Sequence, residues 1–292
     1  MKQSNSSVTL TLRPGRPEDA EACARICYLA FKTISESHGF PPDFPSEEVP
    51  LKIMSMMIGR EGVHSVIAEK DGNIVGSNFI RISGVVGGIG PITVDPSCQN
   101  ASVGKRLMQE VIQFGLGRGL SSMRLVQAAF HNRSLSLYTK LGFDVMEPLA
   151  VLQGAPLNIS VPGYEVRLAT TSDIGDCDNL HFAIHGCTRT NDLQMGIDQG
   201  LARVVHHNGR ITGYSTMLGF SGHSLGESNE DLKALIGAAT GFQGPGFIIP
   251  IRNSELFRWC LNNGLRVVQP LNLMSMGLYK EPAGAFLPSI LY

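Results

Sequence analysis

No CxxC pair occurs among the six cysteines (Cys23, Cys27, Cys98, Cys177, Cys187 and Cys260), and their scatter through 292 residues excludes a dense disulfide framework. They read as reduced thiols filling the core of a cytoplasmic protein. No stretch reaches the ~18–20 apolar residues of a membrane span. The opening segment, MKQSNSSVTLTLRPGRPEDA, contains no apolar run of secretory-signal length. Charge of one sign is not in excess either: 24 basic against 25 acidic side chains leave a net charge of -1. That balance removes a global pull toward nucleic acid or anionic lipid and leaves only local patches to consider. Composition excludes disorder, since 43% of the chain is hydrophobic and 17% charged. The length favours two domains or one large one.

Several catalytic patterns fail as well. Gly104-Lys105-Arg106 lacks the earlier glycine and the Ser/Thr of a P-loop, and no G-x-G-x-x-G follows a strand in this region. Gly222-His223-Ser224-Leu225-Gly226 fits the G-x-S-x-G of serine hydrolases and lies between an apparent strand and helix. None of the eight histidines (His38, His64, His131, His181, His185, His206, His207, His223) follows Ser224, so the Ser, Asp/Glu, His order cannot be completed. His181 and His185 have helical metal-chelating spacing, but Phe182 stands where H-E-x-x-H carries its glutamate. His206 and His207 precede a turn and are expected to be exposed. No metal is expected.

What is present is a repeated order of features. The first half opens LRPGRPEDAEACARICYLAF, a strand and turn leading into an amphipathic helix with Cys23, Ile26, Cys27 and Ala30 at helical spacing. The second opens VRLATTSDIGDCDNLHFAI, with Arg167 matching Arg13 and Asp173 matching Asp19. Each half continues with a hairpin turning at Asp71-Gly72-Asn73 or Asn208-Gly209-Arg210. Each later carries an Asn-led segment, NRSLSLYTKLGF from Asn132 and NSELFRWCLNNGL from Asn253. Three features in one order predict a duplication, with domains at 1–155 and 163–292 and a boundary in EPLAVLQGAPLNISVPG. Hairpins mixed with helices predict an α+β fold.

Chemistry concentrates in ITVDPSCQNASVGKRLMQEVIQFGLGRGL, from Ile92 to Leu120. A strand (Ile92, Thr93, Val94) closed by Asp95-Pro96 feeds a small-residue loop (Gln99, Asn100, Ala101, Ser102, Val103, Gly104) and then a helix. Free N–H groups at such a helix start, with Lys105 and Arg106 beside them, suit an anion. An ordinary capped helix start fits the segment equally well.

These residues resemble the GNAT superfamily of N-acetyltransferases. Its signature is V-x-P-x-x-[QR]-x-x-G-x-[GA] followed by N-x-x-[AS]-x-x-x-Y-x-K-x-G-F. Val94, Pro96, Gln99 and Gly104 match the first part, with Ser102 in place of the first glycine. Tyr138, Lys140, Gly142 and Phe143 match the second, with Asn132 as its leading asparagine one residue nearer to Tyr138 than the signature spaces it and Leu135 where a small residue is common. The match runs over about residues 10–150.

The resemblance implies a three-layer α/β arrangement, a mixed and mostly antiparallel sheet flanked by helices, in two tandem copies. It implies acetyl-CoA as co-substrate, its pyrophosphate on the amides of Gln99 to Gly104 with charge from Lys105 or Arg106. It implies that the strand around Val94 splays from the next strand (123–129), freeing backbone of Ile92, Thr93 and Val94 for pantetheine. Asn132 would bond the pantetheine arm or cap its helix, and Tyr138 would protonate the departing thiolate; a core tyrosine is the other reading of Tyr138. The strand glutamate that serves many members as base is missing from GVVGGIGPIT. Ordered water, His131 or a residue of the acceptor loop remains open for that role. The acceptor loop is expected at 35–49, where His38, Phe40, Phe44, Glu47 and Glu48 combine apolar surface with negative charge suited to a cationic amine; a plain exposed loop fits as well.

In the second half, Glu227, Glu230 and Asp231 bring negative charge to the corresponding helix start, and Trp259 or Cys260 falls at the place of Tyr138. That copy reads as degenerate, used for packing, dimerisation or shaping the acceptor site. The expected activity is transfer of an acetyl group to a primary amine of a small molecule or peptide, with no nucleic-acid or membrane partner. A non-catalytic acyl-CoA sensor is the alternative.

Overall fold

The computed structural model describes residues 10–99 and 102–291. Contacts divide the chain into two compact units, one of residues up to 82 with 87–123, the other of 83–86 with 124 onward.

In the first unit β1 (Leu10–Pro14) leads through a single 3-10 turn, Pro17–Asp19, into α1 (Ala20–Ser37). Asp19 sets that corner. Its carboxylate accepts from Arg13 Nη1 and Nη2 at 2.7 and 2.8 Å and from the Arg16 N–H at 2.7 Å. The Arg13 guanidinium holds the Asp19 carboxyl below the usual carboxylate range. Helical spacing buries Cys23, Ala24, Ile26 and Cys27; Cys23, Ala24 and Cys27 pack with Met54 of α2 (Glu48–Met57) and with Ile67 and Phe79. β2 (Val63–Lys70), β3 (Asn73–Ser83) and β4 (Val86–Ile89) extend the sheet in the order β1-β2-β3-β4. Short β5 (Thr93–Val94) pairs antiparallel with β3 and precedes α3 (Val103–Gly117), which buries Val103, Leu107, Met108, Val111 and Ile112.

The second unit begins within β6 (Ser122–Ala128), followed by α4 (Asn132–Lys140) and β7 (Asp144–Gln153). Then come β8 (Glu165–Leu168), α5 (Ile174–His185), α6 (Thr190–Asp198), β9 (Arg203–His207), β10 (Arg210–Ser215) and β11 (Ser224–Gly226). α7 (Asn229–Gly237), β12 (Phe247–Pro250), α8 (Ser254–Asn262), β13 (Arg266–Gly277) and β14 (Ala285–Leu287) complete it. One sheet runs β14-β11-β10-β9-β8, and another set of strands runs β6-β13-β7-β12. The strand pairings β7–β12, β7–β13, β8–β9, β9–β10, β10–β11 and β11–β14 are all antiparallel, so the fold is α+β with mostly antiparallel sheets flanked by helices.

From β8 onward the element order follows that from β1, with β11 alone where β4 and β5 stand and β14 added at the end, and the likeness reaches individual side chains. Arg167 Nη1 and Nη2 donate to Asp173 at 2.7 Å each, as Arg13 does to Asp19. Arg13 also donates to Glu69, and Arg167 contacts His206 Nε2 at 2.8 Å, one strand over in each case. Along the chain the contact units change over at residues 82–87 and 123–124. β7, from the first half of the sequence, lies between β13 and β12 from the second, and that pairing carries the end of the first half into the second unit.

Candidate active site

In the first unit β5 precedes α3, as the strand-to-helix pattern predicts. Asp95 closes β5, its Oδ1 accepting from the Ser97 N–H at 2.8 Å and from Ser97 Oγ at 2.6 Å. Among the described residues β5 pairs only with β3, through Gly76↔Val94 and Ser77↔Thr93. Its other edge therefore offers main-chain donors and acceptors. Thr93 is buried with Oγ1 3.2 Å from Ser77 Oγ, whereas Ile92 and Val94 are half-buried. Gln99 is exposed; Asn100 and Ala101 lie outside the described residues.

Ser102 has φ 59° and ψ 11°, the left-handed conformation that glycine adopts freely. This explains why the family signature carries glycine here: the chain must turn left-handed before α3 starts. Ser102 makes no side-chain cap bond. Among the described residues the N–H groups of Val103, Gly104 and Lys105 consequently have no partner, and the helix dipole adds positive potential at the same point. Lys105 is exposed there. Arg106 is exposed as well, and its Nη1 donates to the Leu10 carbonyl at 2.8 Å.

The second unit carries the Asn-led helix. Asn132 is the first residue of α4 and does not cap it; His131 holds the cap position. The His131 carbonyl accepts from Gln127 Nε2 at 3.0 Å and from Ser134 Oγ at 2.9 Å. The Asn132 side chain is exposed, free of protein hydrogen bonds among the described residues. Tyr138 is 7% exposed and lies edge-on to Phe143, 6.4 Å between ring centroids. Its hydroxyl has no partner among the described residues, and burial pushes the phenol up, so it holds its proton at neutral pH.

Sequence reasoning missed Glu147. It is 4% exposed on β7, where strand alternation sets it on the face of Leu149 and Val151. Its Oε2 lies 3.3 Å from Arg252 Nη1, while Oε1 is buried without a hydrogen-bond partner. Burial raises its pKa, opposed by Arg252. In the sequence Glu147 looks like the first residue of a linker, because its burial comes from strands more than 100 residues away.

The predicted acceptor loop in the first unit divides in two. His38, Glu47 and Glu48 are exposed, the last of these opening α2. Phe40 and Phe44 are half-buried, with Phe44 edge-on to Phe31 at 5.5 Å, and Ser35 Oγ donates to Asp43 at 2.8 Å.

The helix equivalent to α3 in the second half is α7, and its N-terminus is already filled. Asp231, 1% exposed, accepts from Ser228 N and Oγ at 3.0 Å each and from Thr212 Oγ1. Gly213 makes room for it, since a Cβ there would come within 2.9 Å of Asp231 Cβ. Glu227 pairs with Arg210, and Glu230 with Lys233. In α8, Leu265 N–H bonds Cys260 O at 3.1 Å as Phe143 N–H bonds Tyr138 O at 3.0 Å, so Cys260 takes the place of Tyr138. Ser224 is a buried residue of β11, donating to Ser215 Oγ at 2.8 Å, and forms no nucleophile turn. His206 and His207 are half-buried rather than exposed; His207 stacks on Tyr164 at 4.1 Å. No group of three His, Cys, Asp or Glu among the described residues is arranged to hold a metal ion, and no helix among them is long and apolar enough to cross a membrane.

A candidate acetyltransferase of Pyrococcus horikoshii superposes with TM-score 0.72 at 18% identity, over 98% of this chain and 97% of that one. A GCN5-related N-acetyltransferase of Sphaerobacter thermophilus does so with TM-score 0.61 at 16% identity, over 93% and 96%. Both likenesses are of fold. An IAA acetyltransferase of Azospirillum brasilense is 25% identical over 105 residues, 35% of this chain and 68% of that protein. Residues 31–143 match the model of the acetyltransferase (GNAT) family, whose members use acetyl-CoA as co-substrate and act on amine acceptors.

Proposed function

We propose that the chain transfers an acetyl group from acetyl-CoA to a primary amine by direct attack in a ternary complex. The observation that carries this reading is the contrast between two helix starts. α3 presents uncapped N–H groups beside Lys105, whereas α7 spends the same position on its own carboxylate. The first half, 1–155, is accordingly the catalytic copy, and 163–292 a degenerate one.

In this reading Val103, Gly104 and Lys105, with the loop from Gln99 through Asn100, Ala101 and Ser102, hold the pyrophosphate. The open edge of β5 at Ile92, Thr93 and Val94 holds the pantetheine arm together with Asn132. Glu147 takes the proton of the acceptor ammonium in place of the missing strand glutamate. The nitrogen–carbon bond forms, the carbon–sulfur bond breaks, Tyr138 gives its proton to the leaving sulfur, and the second proton that the attacking nitrogen sheds on becoming an amide returns to the Tyr138 oxygen. A thiolate leaving inside the same desolvated site is pushed up as the phenol is, which keeps that transfer feasible.

A thiol-release assay over a panel of amines tests the reading. Tyr138→Phe is expected to lower kcat at least tenfold with the KM for acetyl-CoA within about twofold. Unchanged turnover would remove the acid role. The missing carboxylate in 86–92 favours the sensor reading, and that reading prevails if acetyl-CoA binds but no amine is acetylated.

A further inference from the structure

In the second unit one buried amide joins the two halves of the sequence at the start of α4. Gln127 of β6 is 3% exposed, and a glutamine so deep in a fold needs both ends of its amide satisfied. The Nε2 end faces acceptors. It donates to the carbonyls of Ala128 and His131, the latter at 3.0 Å, and lies 3.0 Å from Ser134 Oγ. Ser134 gives its own proton to the His131 carbonyl at 2.9 Å, so toward Gln127 its oxygen accepts. The Oε1 end takes its bond from Asn272 Nδ2 on β13, at 3.0 Å.

This pattern admits one orientation of the Gln127 amide. Reversed, Oε1 would meet two carbonyl oxygens, acceptor against acceptor. The orientation that serves α4 leaves Oε1 facing β13, where it needs a donor, and Asn272 supplies it. A side chain there that could only accept would push the amide away or turn it. The His131 carbonyl is also the acceptor of the first helical bond, from the Leu135 N–H at 3.2 Å. What fixes that carbonyl fixes the helix, and Tyr138 follows within about two turns.

The second half supplies an internal control. α4 and α8 are both nine residues long. Aligned at their starts, Asn253 stands at the place of His131 and Ile249 at that of Gln127. Ile249 is fully buried, so packing at this strand position does not require an amide. Asn253 caps its own helix, its Oδ1 accepting from the Leu256 N–H at 3.4 Å, and exchanges two further bonds with Asn229. His131 makes no side-chain cap bond. The start of α4 is held instead by an amide from β6 whose far end is anchored on β13.

We propose that Asn272 is a positioning residue for acetyl transfer: through Gln127 it holds the start of α4 where Tyr138 can deliver its proton to the leaving sulfur. The proposal rests on the acid role given to Tyr138 above. It assigns the degenerate half of the sequence a part in the chemistry of the other. Misplacing a reacting group by about 1 Å costs up to about 10²-fold in rate, so a small shift of α4 is enough to be read in kcat.

The test is a double-mutant cycle in the full chain, followed by thiol release with the best amine of the panel. Asn272→Asp keeps the shape of the side chain and replaces its donor by a second acceptor. It is expected to lower kcat about tenfold in the wild-type background, with the KM for the amine within about twofold. In the Tyr138→Phe background it should lower kcat less than about twofold, because displacing an acid that is already gone costs nothing. Loss of folded protein would cut kcat by the same factor in both backgrounds, so equal losses overturn the proposal. So does an Asn272→Asp chain with wild-type kcat. Either result leaves the acid role standing when Tyr138→Phe alone is impaired. Unchanged turnover in Tyr138→Phe, or no turnover with any amine, is instead the failure of that role and takes the proposal with it. If Asn272→Asp does not fold, Asn272→Ala at this half-buried position runs the same cycle, with a loss of about threefold or more expected in the wild-type background alone.

Discussion

At Ser102 and Glu147 the chain accepts a local cost, and both costs can be measured. A left-handed non-glycine residue costs about 1–2 kcal/mol, and glycine returns part of that as unfolded-state entropy. Ser102→Gly is therefore expected to stabilise the chain by up to about 1 kcal/mol in urea titration, with the KM for acetyl-CoA unchanged. Glu147 gives a sharper signature, because activity and stability should move in opposite directions. Its folded pKa is raised, so the native state binds the proton more tightly than the unfolded chain. Ionising Glu147 consequently destabilises the fold as pH rises through the window that begins at the ordinary carboxylate value. Glu147→Gln should be as stable as wild type at pH 4 and more stable at pH 8. The same variant should lose the rising limb of the kcat/KM profile and about 10²-fold or more in kcat. An unaltered pH–rate profile in the Glu147→Gln chain would assign the proton to another group.

At the scale of elements, the two helix starts carry opposite charges at the same helical position. Lys105 is the third residue of α3 and Asp231 the third of α7. An acidic residue in a first turn is favourable to a helix, so Lys105→Asp should leave the Tm unchanged or higher. It should also place a carboxylate where phosphate is proposed to sit, raising the KM for acetyl-CoA tenfold or more in steady-state assays. An unchanged KM would mean that the pyrophosphate is held elsewhere. The contrast between α3 and α7 was legible in the sequence, because caps, small-residue loops and basic pairs act within one turn of helix. The burial of Tyr138 in α4 follows a pattern of the same short range, its spacing from Lys140 and Gly142. Glu147 was not, since its burial depends on β12 and β13. Nor was Asn272: its bond to Gln127 joins β13 to β6 across 145 residues, which no local pattern records.

At the scale of the whole molecule, the two halves of the sequence both contribute strands to the second unit. The strand order β6-β13-β7-β12 alternates between the first and second halves, so each half supplies strands that the other encloses. β7 pairs through Leu149↔Leu271 on one side and Val151↔Ile248 on the other, with Leu149, Ala150, Val151 and Leu152 all buried. Separating the halves would strip both edges of an apolar strand, a ready template for aggregation. Residues 1–155 and 163–292 expressed alone are therefore expected to be insoluble or to lack a cooperative unfolding transition. Expressed together as two chains, they should copurify in equal amounts and unfold in one transition. The connection is also the right place to cut, because Gly154 to Gly163 contains no strand or helix of its own. A soluble, cooperatively folded 1–155 fragment would show that β7 can be satisfied without its neighbours. If that fragment also acetylated amines, the second half would be dispensable for the chemistry, and the interleaved strands would serve stability alone.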